Sequence, residues 1–585
     1  MQGSRNTTDF RSRLKAAAMI RKDFSRLAIF LFILSGMINV LALTGSIYMM
    51  QVYDRALTSG SVETLGFLSI LALSLYLFHG SFDAIRSHIL VKLGARLDHR
   101  LTPIAHRIAI DMPRFGYSTT EALERSRSVD NLRGFLSSGA PSAVFDLPWM
   151  PIFLIFVYML HPVLGLVTAA GAVVLALLTV VAELRSRHLT QATQSALVAR
   201  NAAAESNARN ADVIAAMGVA DRAVHRYEAL NDEHLGYQTR GATAGSTISS
   251  YSRVLRMILQ SGLLGLGAYF TINGQMSAGA IIAVSVASSR ALAPIDQVIA
   301  NWRNILGARH SYQQLRDTLA AWDRSRETMA HPLPKASLKV ENVTVASPES
   351  GRVLISDLTF DLKAGQALAI IGPSGGGKST LMRALAGVWS PLRGSIRLDE
   401  IALDHYDPSM RGDFIGYLPQ EVNLFTGTIA DNIGRMAENG NGELVRKAAD
   451  FAGVHQMVAR MPDGYETRVE SGGAGLSAGQ RQRIGLARAL YGEPFVVLLD
   501  EPNAALDAQG EQALNTAITA IRDRGGIVIV VAHRTNVLAA VDTVAVVHNG
   551  RLAAFGPRDE VLGKSGSLVT SVDFQNNTRA PAAGA

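Results

Sequence analysis

A glycine-rich loop with a lysine and a serine carries the clearest chemistry in this sequence. The loop, residues 372–380, matches G-x-x-x-x-G-K-[ST] at 372–379, follows an apolar run at 367–371 and precedes a helical pattern at 381–387. Strand, glycine loop and helix in this order are the context of a P-loop, where backbone N–H groups and a helix N-terminus bind phosphate. The predicted nucleotide-binding residues are Gly372, Pro373, Ser374, Gly375, Gly376, Gly377, Lys378, Ser379 and Thr380.

Four side chains supply the chemistry expected at such a loop. Lys378 would reach the β- and γ-phosphates, and the Ser379 hydroxyl would bind Mg²⁺. Further along the chain, an apolar run at 496–499 ends in Asp500 and Glu501. Asp500 fits the role of a Mg²⁺ ligand, and Glu501 is placed to polarise an attacking water as a base. Together with the P-loop, these acids predict hydrolysis of a nucleoside triphosphate.

A second phosphate-binding helix start is predicted before that acidic strand. Small residues there leave backbone N–H groups and a serine hydroxyl accessible at a helix N-terminus, without a lysine. The residues are Leu476, Ser477, Ala478, Gly479 and Gln480.

Composition favours a membrane protein. Apolar residues make up 48 % of the 585 residues and charged ones 18 %, a balance typical of chains with membrane spans. The net charge of +7 comes from basic residues spread along the chain, which fits an anionic membrane surface better than a nucleic-acid groove. We therefore predict no nucleic-acid partner. The absence of cysteine excludes disulfides, thiolate metal sites and a cysteine nucleophile.

Apolar segments predict six membrane-spanning helices. They cover residues 28–50, 65–85, 144–160, 163–182, 254–272 and 278–300. The long basic segments between them, 86–139 and 183–252, would lie in the cytoplasm, together with the N-terminus and the nucleotide-binding part. The predicted domains are a leader at 1–26, a membrane domain at 27–305, a linker at 306–335, an α/β nucleotide-binding domain at 336–573 and a disordered tail at 574–585.

The pentapeptide at 476–480 and its spacing before Asp500 resemble the signature motif of ATP-binding cassette (ABC) transporters. The resemblance covers nearly the whole chain. It implies the type I ABC exporter fold, in which a helical six-span membrane domain is fused to an α/β P-loop domain, with ATP and Mg²⁺ as cofactors. It also implies a homodimer, because in this family each ATP lies between the P-loop of one cassette and the signature of the other.

The same resemblance assigns roles to further residues. It implies that Gln420 is the Q-loop glutamine, which couples Mg²⁺ and water to the membrane domain. Asp507 would be the D-loop aspartate, and His533 the switch histidine on the γ-phosphate. The implied catalytic residues are thus Glu501, His533 and Gln420, and the implied metal ligands are Ser379, Gln420 and Asp500.

Two positions depart from the family pattern. Related cassettes usually carry an aromatic residue that stacks on adenine where this chain has Ser347, followed by Pro348. Stacking on the base by that residue is therefore not expected. Ala478 stands where glycine is usual in the signature, a small change that keeps the backbone donors.

Four stretches narrow the resemblance to the protease-secreting branch of type I secretion ATPases of Gram-negative inner membranes. They are residues 145–153, 290–297, 476–483 and 500–507. The branch implies ATP-driven export of unfolded protein with a C-terminal signal. It also implies a periplasmic adaptor, an outer-membrane channel and contact with membrane lipid.

Two alternatives stay open at this point. One is an exporter of lipid or small molecules that works without an adaptor. The other is a regulatory nucleotide-binding membrane protein with little turnover, against which the complete set of catalytic residues argues. Asp146 and the pair formed by Arg290 and Asp296 lie in predicted spans. They would either line the transport path or sit at the membrane interfaces.

Overall fold

The computed structural model describes residues 26–322, 331–437, 442–473, 475–504, 506–532 and 535–564. Within them the chain forms two compact units. A helical unit contains residues 26–113 and 117–322, and an α/β unit contains the described residues from 331 onward together with Arg114–Gly116. The predicted leader, except for Arg26, and the predicted tail lie outside the described residues, so the domain boundaries stay predictions.

Helices of very different lengths build the helical unit. In chain order they are α1 (26–42), α2 (Thr44–Gln51), α3 (Leu57–Ser59), α4 (Val62–Asp111), α5 (Thr119–Leu136), α6 (Ala140–Asp146), α7 (Met150–Leu160), α8 (Pro162–Arg209), α9 (Ala211–Ala216), α10 (Ala220–Ile272), α11 (Ala278–Ala300) and α12 (Trp302–Trp322). A π-helical turn, Val52–Ala56, joins α2 to α3. Two 3-10 turns, Met112–Phe115 and Leu147–Trp149, follow α4 and α6.

Five helical segments of the described residues are long and apolar enough to cross a membrane. They are Arg26–Ser59, Val62–Phe115, Ala140–Leu160, Ala220–Ile272 and Ala278–Ala300, and α8 opens with a shorter apolar stretch, Pro162–Leu178. These six stretches follow the order of the predicted spans. The helices α4, α8 and α10 have 50, 48 and 53 residues. At 1.5 Å per residue each is more than twice as long as the roughly 30 Å hydrocarbon core of a bilayer, so the long polar segments continue the spans as helix.

Asp54 in the π-helical turn joins the end of the first span to the start of the last one. It accepts hydrogen bonds from Ser277 Oγ at 2.6 Å and Gly279 N at 2.9 Å. The carboxylate thereby satisfies a free N–H group of the first turn of α11 and carries a charge that suits a helix N-terminus. This contact brings two backbones close together, because a Cβ at Gly279 would lie 2.7 Å from Met50 O.

We expect Gly279→Ala to destabilise the helical unit by about 1–3 kcal/mol, the cost of overpacking a close contact. The added methyl would also lie 2.6 Å from Asp54 Oδ1, so the capping contact has to open. Thermal unfolding of the detergent-solubilised protein measures the effect. Gly265→Ala in α10 is the matched control, because a Cβ there meets no atom of the described chain within 4 Å. Equal melting temperatures for the two variants would contradict the prediction.

A buried polar network surrounds Asp146 at the end of α6. Its Oδ1 accepts hydrogen bonds from Ser35, from Asn39 Nδ2 at 2.9 Å and from Arg86 Nη1 at 2.6 Å. Arg86 is only 6 % exposed and also binds Asp83 at 2.7 Å. The network ties α1, α4 and α6 together, so the charge of Asp146 is neutralised by an arginine from another helix.

Asp296 is paired in a similar way, and the pairing of Arg290 with Asp296 suggested by the sequence is wrong. The partner of Asp296 is Arg256 of α10, with Nη1 and Oδ2 2.6 Å apart, and Ser252 Oγ donates to the same carboxylate at 3.1 Å. Arg290 is exposed. Six positions apart on one helix, Arg290 and Asp296 point about 120° away from each other, whereas α10 packs against α11 and supplies Arg256.

The α/β unit contains three sheets. Their strands are β1 (Ser337–Ala346), β2 (Val353–Lys363), β3 (Ala367–Ile371), β4 (Arg393–Leu398), β5 (Ile401–Ala402), β6 (Ile415–Leu418), β7 (Gly427–Thr428), β8 (Arg468–Val469), β9 (Val496–Asp500), β10 (Ile527–Val531), β11 (Thr543–His548) and β12 (Arg551–Pro557). The orders are β2-β1-β4-β5, β12-β11-β3-β10-β9-β6 and β7-β8.

Helices surround the six-stranded sheet. They are α13 (Lys378–Leu385), α14 (Arg411–Phe414), α15 (Ile429–Ile433), α16 (Gly442–Phe451), α17 (His455–Ala459), α18 (Ala478–Leu490), α19 (Ala508–Asp523), α20 (Thr535–Leu538) and α21 (Arg558–Lys564). The neighbouring strands from β11 to β6 are parallel, and β12 is antiparallel to β11. Strands β9 and β10 are buried along their whole length, as expected for a parallel sheet covered on both faces.

Candidate active site

The parallel sheet brings the P-loop, Gln420, Asp500 and Glu501 to one edge. In its register Val531 lies opposite both Ile370 and Asp500, and Leu418 lies opposite Leu499. The loops after β3, β10, β9 and β6 therefore leave the sheet side by side, the position where open parallel sheets bind ligands. The predicted His533 follows β10 but lies outside the described residues.

The P-loop lies between β3 and α13, as predicted. Gly372 has φ 151° and Gly377 has φ 101°, and both values favour glycine. A Cβ at Gly372 would lie 2.0 Å from Val547 O, and one at Gly377 would lie 3.2 Å from Leu354 O. These glycines let the loop pack closely on the neighbouring backbone. Gly376 N donates to Pro373 O at 3.1 Å within the loop, and the other N–H groups would bind phosphate.

Lys378 closes this loop from the first turn of α13. Its Nζ donates to Gly372 O and Pro373 O, both at 2.9 Å, and the residue is 6 % exposed. Burial lowers the pKa of the Lys378 ammonium, while the charges of Glu501 and Asp500 act in the opposite direction. The lysine is thus held over the loop where phosphate groups would bind.

Asp500 and Ser379 lie next to each other at the base of the loop. The Ser379 hydroxyl donates to Asp500 Oδ1 at 3.3 Å, and Asp500 is 2 % exposed. Burial is the main cause that raises the pKa of the Asp500 carboxyl. A hydroxyl and a buried carboxylate are the oxygen ligands that Mg²⁺ prefers, and the positive ion would offset the cost of burying the carboxylate. Gln420 is exposed two residues after β6, at the same edge.

Glu501 has an unusual backbone. Its φ is 51°, in the left-handed region that disfavours residues with a Cβ. Such strain costs about 1–3 kcal/mol and persists only where the surroundings hold it. This left-handed φ ends the extended backbone of β9 at the glutamate. Glu501 lies near enough to Lys378 for its charge to act on the ammonium.

The signature residues begin α18 with a capping box. Ser477 Oγ accepts from Gln480 N at 3.2 Å, and Gln480 Oε1 accepts from Ser477 N at 2.8 Å. Ser477 and Ala478 are exposed. The cap fixes the first turn of the helix and leaves the positive end of its dipole at the surface. A phosphate held by another cassette could reach this helix start.

Asp507 caps α19 and binds the signature helix. Its carboxylate accepts from Gly510 N at 2.8 Å and forms an ion pair with Arg483. The Gly510 hydrogen bond, followed by Arg483, holds the pKa of the Asp507 carboxyl below its usual value. No role was assigned from the sequence to Arg483, or to its neighbour Gln482, whose side chain also contacts the segment after β9. The run Arg481-Gln482-Arg483 directly after the signature is the signal that could have pointed to them.

Ser347, at the position where an aromatic residue is usual, helps to build a turn. Its N–H donates to Arg352 O at 2.9 Å, and its carbonyl accepts from Gly351 N at 2.8 Å. The Ser347 hydroxyl also accepts from Ser350 N at 3.3 Å. The side chain therefore stabilises the connection between β1 and β2 and offers no ring to a base.

Comparison with known proteins matches both parts of the chain to one family. The model of the ABC transporter family matches residues 355–504, and that of the ABC transporter transmembrane region matches residues 26–292. The chain is 44 % identical over 530 residues to the type I secretion system ATP-binding protein PrsD of Rhizobium meliloti, covering 91 % of each chain.

More distant relatives belong to the same family. The toxin RTX-I translocation ATP-binding protein of Actinobacillus pleuropneumoniae is 27 % identical, covering 96 % of this chain and 79 % of the relative. A solved structure of a bacterial Atm1-family ABC exporter with ATP bound superposes with a TM-score of 0.80 at 23 % identity. It covers 97 % of this chain and 100 % of the other, and this likeness concerns the fold. The chain has the fold of an ABC exporter and is an ATPase coupled to transport. It belongs to the ABC transporters, among the type I secretion system ATP-binding proteins.

Proposed function

We propose that this chain is the inner-membrane exporter of a type I secretion system. As a homodimer it hydrolyses ATP and moves unfolded protein with a C-terminal signal out of the cytoplasm, through a periplasmic adaptor and an outer-membrane channel. The observation that carries the proposal is the 44 % identity to a type I secretion system ATP-binding protein over 91 % of both chains. The sequence stretches around Asp146 and the signature resemble the protease-secreting branch. Secreted proteases are therefore the proposed class of cargo.

The site residues have distinct roles in this proposal. The P-loop backbone and Lys378 bind the phosphates, and Glu501 polarises the attacking water. Ser379, Asp500 and Gln420 would hold Mg²⁺, which supplies positive charge next to the phosphates when bound. The 3.3 Å approach of the Ser379 hydroxyl to the buried Asp500 carboxylate supports the metal role. His533 is proposed to contact the γ-phosphate.

The homodimer follows from the number of motifs. One chain carries one P-loop and one signature, so two chains complete two composite sites. The exposed start of α18 at Ser477 supports this role, because its free dipole end suits a phosphate that a partner holds. ATP then joins the cassettes, and its hydrolysis separates them, which drives the membrane domain as a rigid-body switch.

The proposed location is the inner membrane, with the N-terminus and the α/β unit in the cytoplasm. Exposed apolar side chains on the spans, such as Ile33, Phe67 and Leu177, support contact with lipid. The basic segments beside the spans support the orientation, since positive charge favours the cytoplasmic side.

The test compares proteins in the culture medium of the native host. A strain that lacks the gene is complemented with the wild-type chain or with Glu501→Gln. We expect one or a few proteins with intact C-termini to vanish from the medium of the Glu501→Gln strain and to accumulate inside the cells. An unchanged medium in cells that express the chain would remove the support for protein cargo. Export of lipid or small molecules without an adaptor would then be the better account.

A further inference from the structure

The peptide that follows Glu501 is bound by the helix that starts with the signature. Gln482 of α18 is 5 % exposed, and its Nε2 donates to Pro502 O at 3.2 Å. Pro502 follows Glu501 directly, so the accepting carbonyl belongs to the first residue after the glutamate. The hydrogen bond is buried, and a buried carbonyl left without a donor is unfavourable.

The turn at Glu501 needs an attachment of this kind. Its left-handed backbone, with φ 51°, is unfavourable for a glutamate and is stable only where neighbouring groups hold it. Within the turn, Ala504 N donates to Glu501 O at 3.3 Å, longer than a typical N–H···O bond. The bond from Gln482 adds an attachment to a helix whose inner face is buried from Ile484 to Leu490.

The same helix also holds the far end of this segment. Arg483, the next residue of α18, forms the ion pair with Asp507. Asp507 in turn caps α19 through Gly510 N. Two adjacent residues of α18 thus attach both ends of the stretch between Glu501 and Asp507.

We propose that Gln482 is a positioning residue for ATP hydrolysis. By binding Pro502 O, it fixes the backbone that aims Glu501 at the attacking water. The inference rests on the proposed role of Glu501 as the base. Because Gln482 and Ser477 belong to one helix, a displacement of the signature end also moves the backbone of Glu501.

The variant Gln482→Met tests this role, since it keeps the length of the side chain and removes the donor. ATP hydrolysis is measured for the purified full-length protein in lipid nanodiscs over a range of ATP concentrations. We expect kcat to fall by about 10- to 100-fold, because a shift of about 1 Å at a catalytic group has effects of this size. The KM for ATP should change by less than about twofold, because the phosphate-binding residues are untouched.

Gln512→Met is the matched control, because Gln512 is an exposed glutamine on α19, and it should keep the kcat of the wild type. A wild-type kcat in folded Gln482→Met would overturn the proposal, and so would a loss that appears in KM instead. If Gln482→Met does not fold, Gln482→Leu, which also lacks the donor to Pro502 O, decides by the same readout, and an unchanged kcat there also overturns the proposal. Glu501→Gln in the same assay separates a failure of this inference from a failure of the proposed role of Glu501. Wild-type hydrolysis by Glu501→Gln would refute the role of Glu501 as the base.

Discussion

Replacing Glu501 with glutamine is expected to lower the rate of ATP hydrolysis by about 100- to 10,000-fold, the usual contribution of a general base. The amide has nearly the same size as the carboxylate but does not accept a proton from the attacking water. Because the P-loop and Lys378 remain intact, ATP binding should persist. Phosphate release by the purified protein and binding of a fluorescent ATP analogue measure the two effects separately.

Glu493→Gln is the matched control for this variant. Glu493 is a partly exposed glutamate of the same unit that pairs with Lys447 at 2.8 Å. A surface pair of this kind contributes about 0–1 kcal/mol, so hydrolysis should stay at the wild-type rate. If Glu501→Gln hydrolyses ATP as fast as Glu493→Gln, another group acts as the base.

The local parts of the site could be predicted from the sequence because each depends on a short stretch of chain. The apolar strand, the glycines and Lys378 form the P-loop within a few residues, and Asp500 ends its strand at the same edge of the parallel sheet. Ser477 and Gln480 stand three residues apart, the spacing of a capping box. The order of the parallel strands then brings the P-loop and Asp500 together, and this order is typical of an α/β nucleotide-binding domain.

The contacts between distant helices could not be predicted in the same way. Arg86 and Asp146 are 60 positions apart, and Ser35 and Asp146 are 111 positions apart. Which arginine reaches an intramembrane carboxylate depends on how the helices rotate and pack. For this reason the sequence suggested Arg290 for Asp296, whereas the structure has Arg256.

The left-handed turn at Glu501 was also beyond sequence reasoning. Glutamate rarely adopts this conformation, and no glycine or asparagine at that position signals it. The turn is held by its surroundings, among them Gln482 from a helix that precedes β9 in the chain. A strained residue at a candidate catalytic position is typical of sites where local preference yields to function.

Arg86→Met should destabilise the helical unit by about 3 kcal/mol, the lower end of the cost of removing one partner from a buried ion pair. Ser35 and Asn39 would still donate to Asp146, but the carboxylate would lose its positive partner inside the spans. The temperature at which half of the detergent-solubilised protein aggregates measures the effect. Arg290→Met is the matched control, because this arginine lies on a span but is exposed.

A second substitution tells whether the lost stability comes from the pair or from the packing of the arginine stem. Most of the cost of Arg86→Met is expected to come from the uncompensated charge of Asp146, so Asp146→Asn in the same chain should restore much of the stability. The double variant would then be more stable than the sum of the single effects predicts. Strictly additive losses would mean that the two side chains stabilise the helices independently. The network would then hold α1, α4 and α6 together through its shape and not through its charges.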